Sequence, residues 1–308
     1  MKARPSGLSA PTVAVLALAS VTAAWGSTFF MLKGVVTRVP VTDFLALRFV
    51  LAAAVLWALR PGSIRALSPR ARRHGVVLGV IYGAGQILQT LGLQHTSASI
   101  SGFVTGLYVV LTPLLAGLVL RARIGVTAWC ATGVATCGLA VMSLQGFALG
   151  PGVVVTLISA VLYALHIIGL GRWSTPQDAY GLSVVQMVSI AVLCSVAAIP
   201  GGLVLPSRTS DWLALLYMAL VAGALALVVQ TWAQAHLAAT RAAVIMTMEP
   251  VFAGLFAVLF GGERFGWRIG VGGALVLGAM YLAELGPRGP AEADVAADVG
   301  SVPHLGPV

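Results

Sequence analysis

Apolar residues in this chain come in long, nearly unbroken runs, without the strict alternation that marks strands. A membrane helix needs about 20 mostly apolar residues. Ten stretches meet that requirement: residues 11–32, 41–60, 75–93, 98–120, 124–143, 150–170, 180–200, 211–232, 238–261 and 266–285. The links over 93–100 and 235–242 are so short that adjoining helices must run antiparallel. The pattern therefore predicts an all-α membrane protein of ten transmembrane helices. The first run follows Lys2 and Arg4 and carries small residues near Ala23 and Ala24, as a secretory signal does. Signal cores span about 7–15 residues, and this run continues to Leu32, so an uncleaved first span is expected. Residues 286–308 are rich in Gly, Pro and Ala, with Glu292, Asp294 and Asp298. Such a segment cannot bury a core and is expected to be a disordered cytoplasmic tail.

Composition agrees with the pattern. Of 308 residues 59% are apolar and 9% charged, with a mean hydropathy of +0.98; soluble domains carry roughly 25% charged residues. The net charge of +9 does not indicate nucleic acid, because the basic residues lie in short loops and not on one stripe or tail. Their placement instead gives orientation. With the N-terminus inside, twelve Lys and Arg residues fall on inner loops and span ends, and five fall on outer ones. Both termini are thus expected in the cytoplasm of a multi-pass inner-membrane protein. Cys130, Cys137 and Cys194 all lie in apolar runs, with no CxxC and no His at metal-ligand spacing. They read as small buried packing residues, and no metal is implied.

An internal repeat adds organisation. Trp25 aligns with Tyr163 and Arg48 with Gln186, both at an offset of 138. Gln89-Thr-Leu-Gly-Leu-Gln-His95 resembles Gln230-Thr-Trp-Ala-Gln-Ala-His236 at an offset of 141, while Pro113 matches Pro250 and Gly133 matches Gly270 at 137. The reading is a first five-helix repeat over 1–145, a second over 146–285, and the tail over 286–308. Five spans per copy force the second copy to be inverted. Inverted repeats around a midplane site are a common transporter architecture.

Several stretches, in order, resemble the drug/metabolite transporter superfamily, and within it the EamA-type ten-helix permeases. They are Trp25-Gly-Ser-Thr-Phe29, Leu47-Arg48-Phe49, the segment from Thr96 to Pro113, Thr240-Arg-Ala-Ala-Val-Ile245, Glu249-Pro250, Gly261-Gly-Glu-Arg264 and Ile269-Gly270. The resemblance covers residues from about 21 to 285. It implies a basket of helices around a central solute cavity, with export or uptake of metabolites or amphipathic compounds. One feature departs from the family pattern. The acidic residue that often follows the fourth span is absent at Leu120-Arg-Ala-Arg123, and only the second copy keeps it, as Glu263. Its loss is expected to affect stability more than transport.

Among candidate functional residues Glu249 stands first. It lies about eleven residues into the ninth run, near the bilayer midplane at roughly 1.5 Å per residue. A carboxylate there costs several kcal/mol unless it is paired, protonated or facing water. It is either a proton-coupling or cation-contacting group, or a structural partner for an arginine or for backbone freed by Pro250. Pro113 and Pro250 each remove the hydrogen bond to the carbonyl four residues back. Paired breaks in corresponding helices point to the solute site, or else they only bend helices to fit the bundle. Arg48, inside the second span, costs about 2.5–3.5 kcal/mol on insertion scales, a cost that snorkelling toward the outer interface would relieve; it binds a substrate carboxylate, pairs with Glu249 or caps a helix end. Trp25, Ser27, Thr28, Tyr108, Tyr163 and His166 supply aromatic and hydrogen-bonding groups of the kind that orient ligands on apolar walls, although single Trp and Tyr residues also serve as packing. Gln186, with Gln86, Gln89 and Gln230, either joins helices or touches solute.

No Walker loop, GxSxG or HExxH occurs, so neither ATP nor another cofactor is implied. The expectation is a secondary transporter and not an enzyme. It would move small metabolites, amino acids or amphipathic compounds by alternating access, as an exporter and with proton coupling. Its partners would be the solute, the lipid bilayer and, in a homodimer, a second copy. The alternative is an intramembrane enzyme acting on lipid-linked substrates. That would need His, Asp and Glu clustered near one interface, and the chain shows scattered singles.

Overall fold

A computed structural model describes residues 9–95, 98–120, 124–143, 150–260 and 266–285. The first half contributes α1 (Ala10–Val35), α2 (Val41–Leu59), a short α3 (Ser63–Ala66), α4 (Pro69–Gln94), α5 (Ala98–Gly106), α6 (Tyr108–Leu120) and α7 (Val126–Ser143). The second contributes α8 (Pro151–Trp173), α9 (Ala179–Ala198), α10 (Thr209–Ala219), α11 (Ala226–Gln234), α12 (Ala239–Met246), α13 (Met248–Phe260) and α14 (Trp267–Leu285). A π-helical turn, Leu220–Leu225, joins α10 to α11. Helix starts are legible in the sequence. Ser9 and Ser68 cap α1 and α4 by accepting the backbone N–H groups of Thr12 and Ala71, each with proline in the first turn.

Six stretches among the described residues are long and apolar enough to cross a membrane: Ala10–Phe29, Val41–Leu59, Pro69–Gln94, Pro151–Trp173, Ala179–Gly201 and Thr209–Gln234. Of the other apolar runs, 124–143 and 266–285 form the single helices α7 and α14, and two take a different form. The run over 98–120 is two helices, α5 and α6, meeting at Leu107, and the run over 238–261 is α12 and α13, meeting at Thr247. Apolar content alone cannot distinguish a continuous helix from two half-helices end to end, because both bury the same side chains.

The two halves interlock. Helix α1 packs on α11 and α13 of the second half, and α8 packs on α4 and α6 of the first, so each copy's leading helix is clasped by the other copy. Helices α2 and α9 pack on one another, as do α7 and α14. Small residues allow the close approach that membrane helix packing depends on. A Cβ added to Gly79 of α4 would lie 2.5 Å from the Gln186 carbonyl of α9, and one on Gly138 of α7 would lie 2.8 Å from the Gly272 carbonyl of α14. Large apolar side chains such as Leu118, Val126, Phe260 and Trp267 face outward, which suits a hydrocarbon surround. At one end of the molecule, Arg38 donates Nε to Asp211 Oδ2 at 3.0 Å, and Asp43 Oδ2 accepts the Val204 N–H at 2.9 Å. Together these tie the α1–α2 link and α2 to the segment that leads into α10.

One expectation is corrected. Cys194 is buried, but Cys130 and Cys137 are exposed on α7: α7 packs with one face on α14 and leaves the opposite face, seven residues in period, outside. Glu263, Arg264, Arg121, Arg123 and the tail over 286–308 lie outside the described residues.

Candidate functional site

The helices enclose a central cavity of about 60 Å³ of water-accessible volume, room for on the order of four waters. Each wall is one stripe of a helix. Helix α1 supplies Trp25, Thr28, Phe29 and Leu32; α4 supplies Tyr82, Gln86, Gln89, Thr90 and Leu93; α8 supplies Tyr163, His166 and Ile167. Spacings of three, four and seven residues put such groups on one helical face. Arg48 comes from α2, Thr105 from α5, Tyr108 from α6, Gln230 from α11, Met246 from α12 and Glu249 from α13.

Glu249 is the second residue of α13. The break at Thr247 therefore places this carboxylate, expected from the sequence in mid-span, in the first turn of a helix, where the helix dipole favours negative charge. Thr247 closes α12 by donating its N–H to the Val244 carbonyl at 3.1 Å and its hydroxyl to the same oxygen. Gly26 of α1 lets this start come close: a Cβ there would lie 2.8 Å from the Glu249 carbonyl. Among the described residues no hydrogen bond or ion pair reaches the Glu249 side chain, so the expected pairing with Arg48 is not formed. Arg48, 5% exposed, donates Nε to the Met218 carbonyl at 3.1 Å and lies over the Phe49 ring. It does not snorkel outward.

The aromatic wall is held by a chain of amides and hydroxyls. Gln86 Nε2 donates to the Tyr163 hydroxyl at 2.8 Å, Tyr163 donates to Gln89 Oε1 at 2.8 Å, and Gln89 Nε2 donates to Thr105 at 3.1 Å. The Tyr163 hydroxyl is thereby satisfied. Tyr82 stacks obliquely on both Tyr163 and His166. His166 Nε2 meets Gln186 Oε1 at 2.8 Å; since that oxygen only accepts, Nε2 carries the proton and Nδ1 is left as an acceptor. Among the described residues, two buried groups of cavity-lining side chains have no hydrogen-bond partner, the Tyr108 hydroxyl and Gln230 Oε1. Gln230 Nε2 donates to Gln234 Oε1 at 3.1 Å.

Of the sequence candidates, Trp25, Thr28, Arg48, Tyr108, Tyr163, His166 and Glu249 meet at this cavity. Ser27 stands behind the wall, bonded to the Tyr217 hydroxyl at 2.7 Å. Gln186 stands behind His166 and also donates to Thr231. Pro113 lies inside α6, while Pro250 falls in the first turn of α13; neither lines the cavity. Tyr82 and Met246 line it without having been singled out from the sequence. Tyr82 was legible in principle, because it precedes Gln86 and Gln89 at four and seven residues. No group of His, Cys, Asp and Glu able to hold a metal occurs among the described residues.

The arrangement sets one carboxylate and one guanidinium among apolar and aromatic side chains around a common cavity. Such a space orients a small solute by few, well-separated polar contacts. Comparison with known proteins agrees. The model of the EamA-like transporter family matches twice, over residues 12–144 and 150–285. An uncharacterized transporter from Archaeoglobus fulgidus is 29% identical over 244 residues, covering 79% of this chain and 76% of its own. A protein of known crystal structure superposes with a TM-score of 0.74 at 19% identity, over 89% of this chain and 97% of that one, a likeness of fold alone. The cavity, the doubled architecture and these matches lead to one assignment: the chain belongs to the EamA-like transporter family.

Proposed function

We propose that this membrane transporter is a secondary, proton-coupled exporter in the inner membrane. It carries small metabolites that bear both donor and acceptor groups, amino acids among them. In this reading all ten apolar runs cross the bilayer, as two inverted sets of five, with both termini in the cytoplasm. The observation that carries it is Glu249, a carboxylate with no side-chain partner among the described residues, lining the central cavity at the start of a half-helix. A membrane-embedded carboxylate without a fixed counter-ion gains by exchanging protons with, or yielding to, a passing cation. Discontinuous helices at a midplane cavity are the usual setting of coupling sites. Arg48 and the aromatic wall serve as solute contacts, and alternating access follows from rocking of the two interlocked halves.

Reconstitution tests this directly. Proteoliposomes loaded with a broad mixture of amino acids and metabolites are expected to release a subset faster under an imposed pH gradient. Absence of flux in either direction, with and without the gradient, would remove the proposal.

A further inference from the structure

The π-turn between α10 and α11 does something a regular helix cannot. In an α-helix each carbonyl is bonded by the N–H four residues on. Here the Ala226 N–H is shared between the Val221 and Gly223 carbonyls, five and three residues back, and passes over Ala222. The indole N–H of Trp25 takes the Ala222 carbonyl at 2.9 Å, fully buried. One turn earlier, the Met218 carbonyl receives Arg48 Nε at 3.1 Å. A Cβ on Gly223 would sit 2.8 Å from that same Met218 oxygen, so the carbonyl occupies space that only glycine leaves free. Two cavity-facing side chains of the first half are thus pinned to backbone oxygens at one irregular turn of the second. π-turns within α-helices are frequent at functional sites.

We propose that this turn is the positioning element of the solute site, with Met218, Ala222 and Gly223 acting through Arg48 and Trp25. The inference rests on reading the cavity as the solute site. Pinned at Nε, Arg48 keeps its two terminal nitrogens for the cavity and loses the freedom to swing along the helix. Pinned at its N–H, Trp25 presents ring and not donor. The inserted residue also sets the phase of everything after it. At about 100° per residue, removing one residue would turn Gln230 on α11 away from the cavity.

Nuclear magnetic resonance on protein labelled with ¹⁵N tryptophan and arginine, in lipid nanodiscs without solute, tests this. The Trp25 indole signal is identified by its loss in Trp25→Phe, and the Arg48 Nε signal by its loss in Arg48→Lys. Gly223→Ala is expected to shift both signals and to speed Trp25 N–H exchange about tenfold, the effect of losing roughly one hydrogen bond. The other tryptophan signals should stay in place, which a general loosening of the fold would not allow. Unmoved Trp25 and Arg48 signals in folded Gly223→Ala would overturn the proposal. If that variant does not fold, the wild-type protein decides: a Trp25 N–H exchanging as fast as that of exposed Trp57 would overturn it equally. Since no solute is added, a failure of transport would count against the solute site and not against this seat.

Discussion

Helices α5–α6 and α12–α13 occupy matching places in the two repeats, and they have solved the same sequence pattern differently. Both are half-helix pairs with a proline at the same offset. In the first, the chain breaks at Leu107, six residues before Pro113, so the proline lies inside α6. In the second, it breaks at Thr247, three residues before Pro250, and the proline falls within the first turn of α13. There its missing N–H is one that a helix start leaves unbonded in any case. The residue ahead of each proline follows suit. Thr112 is fully buried, its hydroxyl without a partner among the described residues, whereas Glu249 lines the cavity. Proline alone therefore does not choose the break. The position of the break decides whether the residue before the proline is a packed helix-interior group or an accessible first-turn one.

The most damaging way to erase this difference is Thr112→Glu. It buries a carboxylate in the helix interior without a partner, at a cost of several kcal/mol. The expected outcome is loss of folded protein in detergent, measured by size-exclusion chromatography. Recovery of a well-folded, monodisperse variant would show the two sites to be equivalent. Next in size is Glu249→Gln, which leaves the first-turn position and removes the charge. Flux is expected to lose its response to a pH gradient by tenfold or more, about 1.4 kcal/mol of coupling, while thermal stability holds or rises. An unchanged gradient dependence would take the coupling role from Glu249.

The prolines separate the regions more finely. Pro113→Ala restores an N–H inside α6 and is expected to raise thermal stability by about 1–3 kcal/mol; Pro250→Ala should change it little. Equal effects in melting experiments would place both prolines alike in their helices. The smallest expected effect is Thr112→Val, which replaces an unsatisfied hydroxyl by a methyl of similar shape and should gain about 1 kcal/mol. A loss of stability there would mean that the hydroxyl has a partner, a water or an ion, in the membrane.

Much of the site was legible because it is repeated. Trp25 and Tyr163 align between copies and both face the cavity, as do Gln89 and Gln230. The alignment misleads at Arg48 and Gln186. Only Arg48 lines the cavity, and Gln186 supports His166 from behind. A one-dimensional match fixes place in the fold and not the rotation of a helix about its axis. Arg48 and Glu249 also looked like a natural ion pair, being charged groups in apolar spans. The Met218 carbonyl, at the end of α10 just before the π-turn, engages the arginine instead, and no local pattern in Leu220–Leu225 announces an extra residue in that turn.

The family, the doubling and the location of the polar residues that membrane burial makes expensive can all be read along the chain. Hydropathy, repeat offset and motif order are properties of the chain read in one dimension. Where the half-helices break, which of two aligned residues reaches the cavity, and what holds Arg48 and Trp25 in place emerge from packing in three dimensions. Those outcomes depend on helix phase and on carbonyls freed or passed over by backbone hydrogen bonding. A backbone acceptor is the same atom at every residue, so the sequence carries no mark of which one will be used.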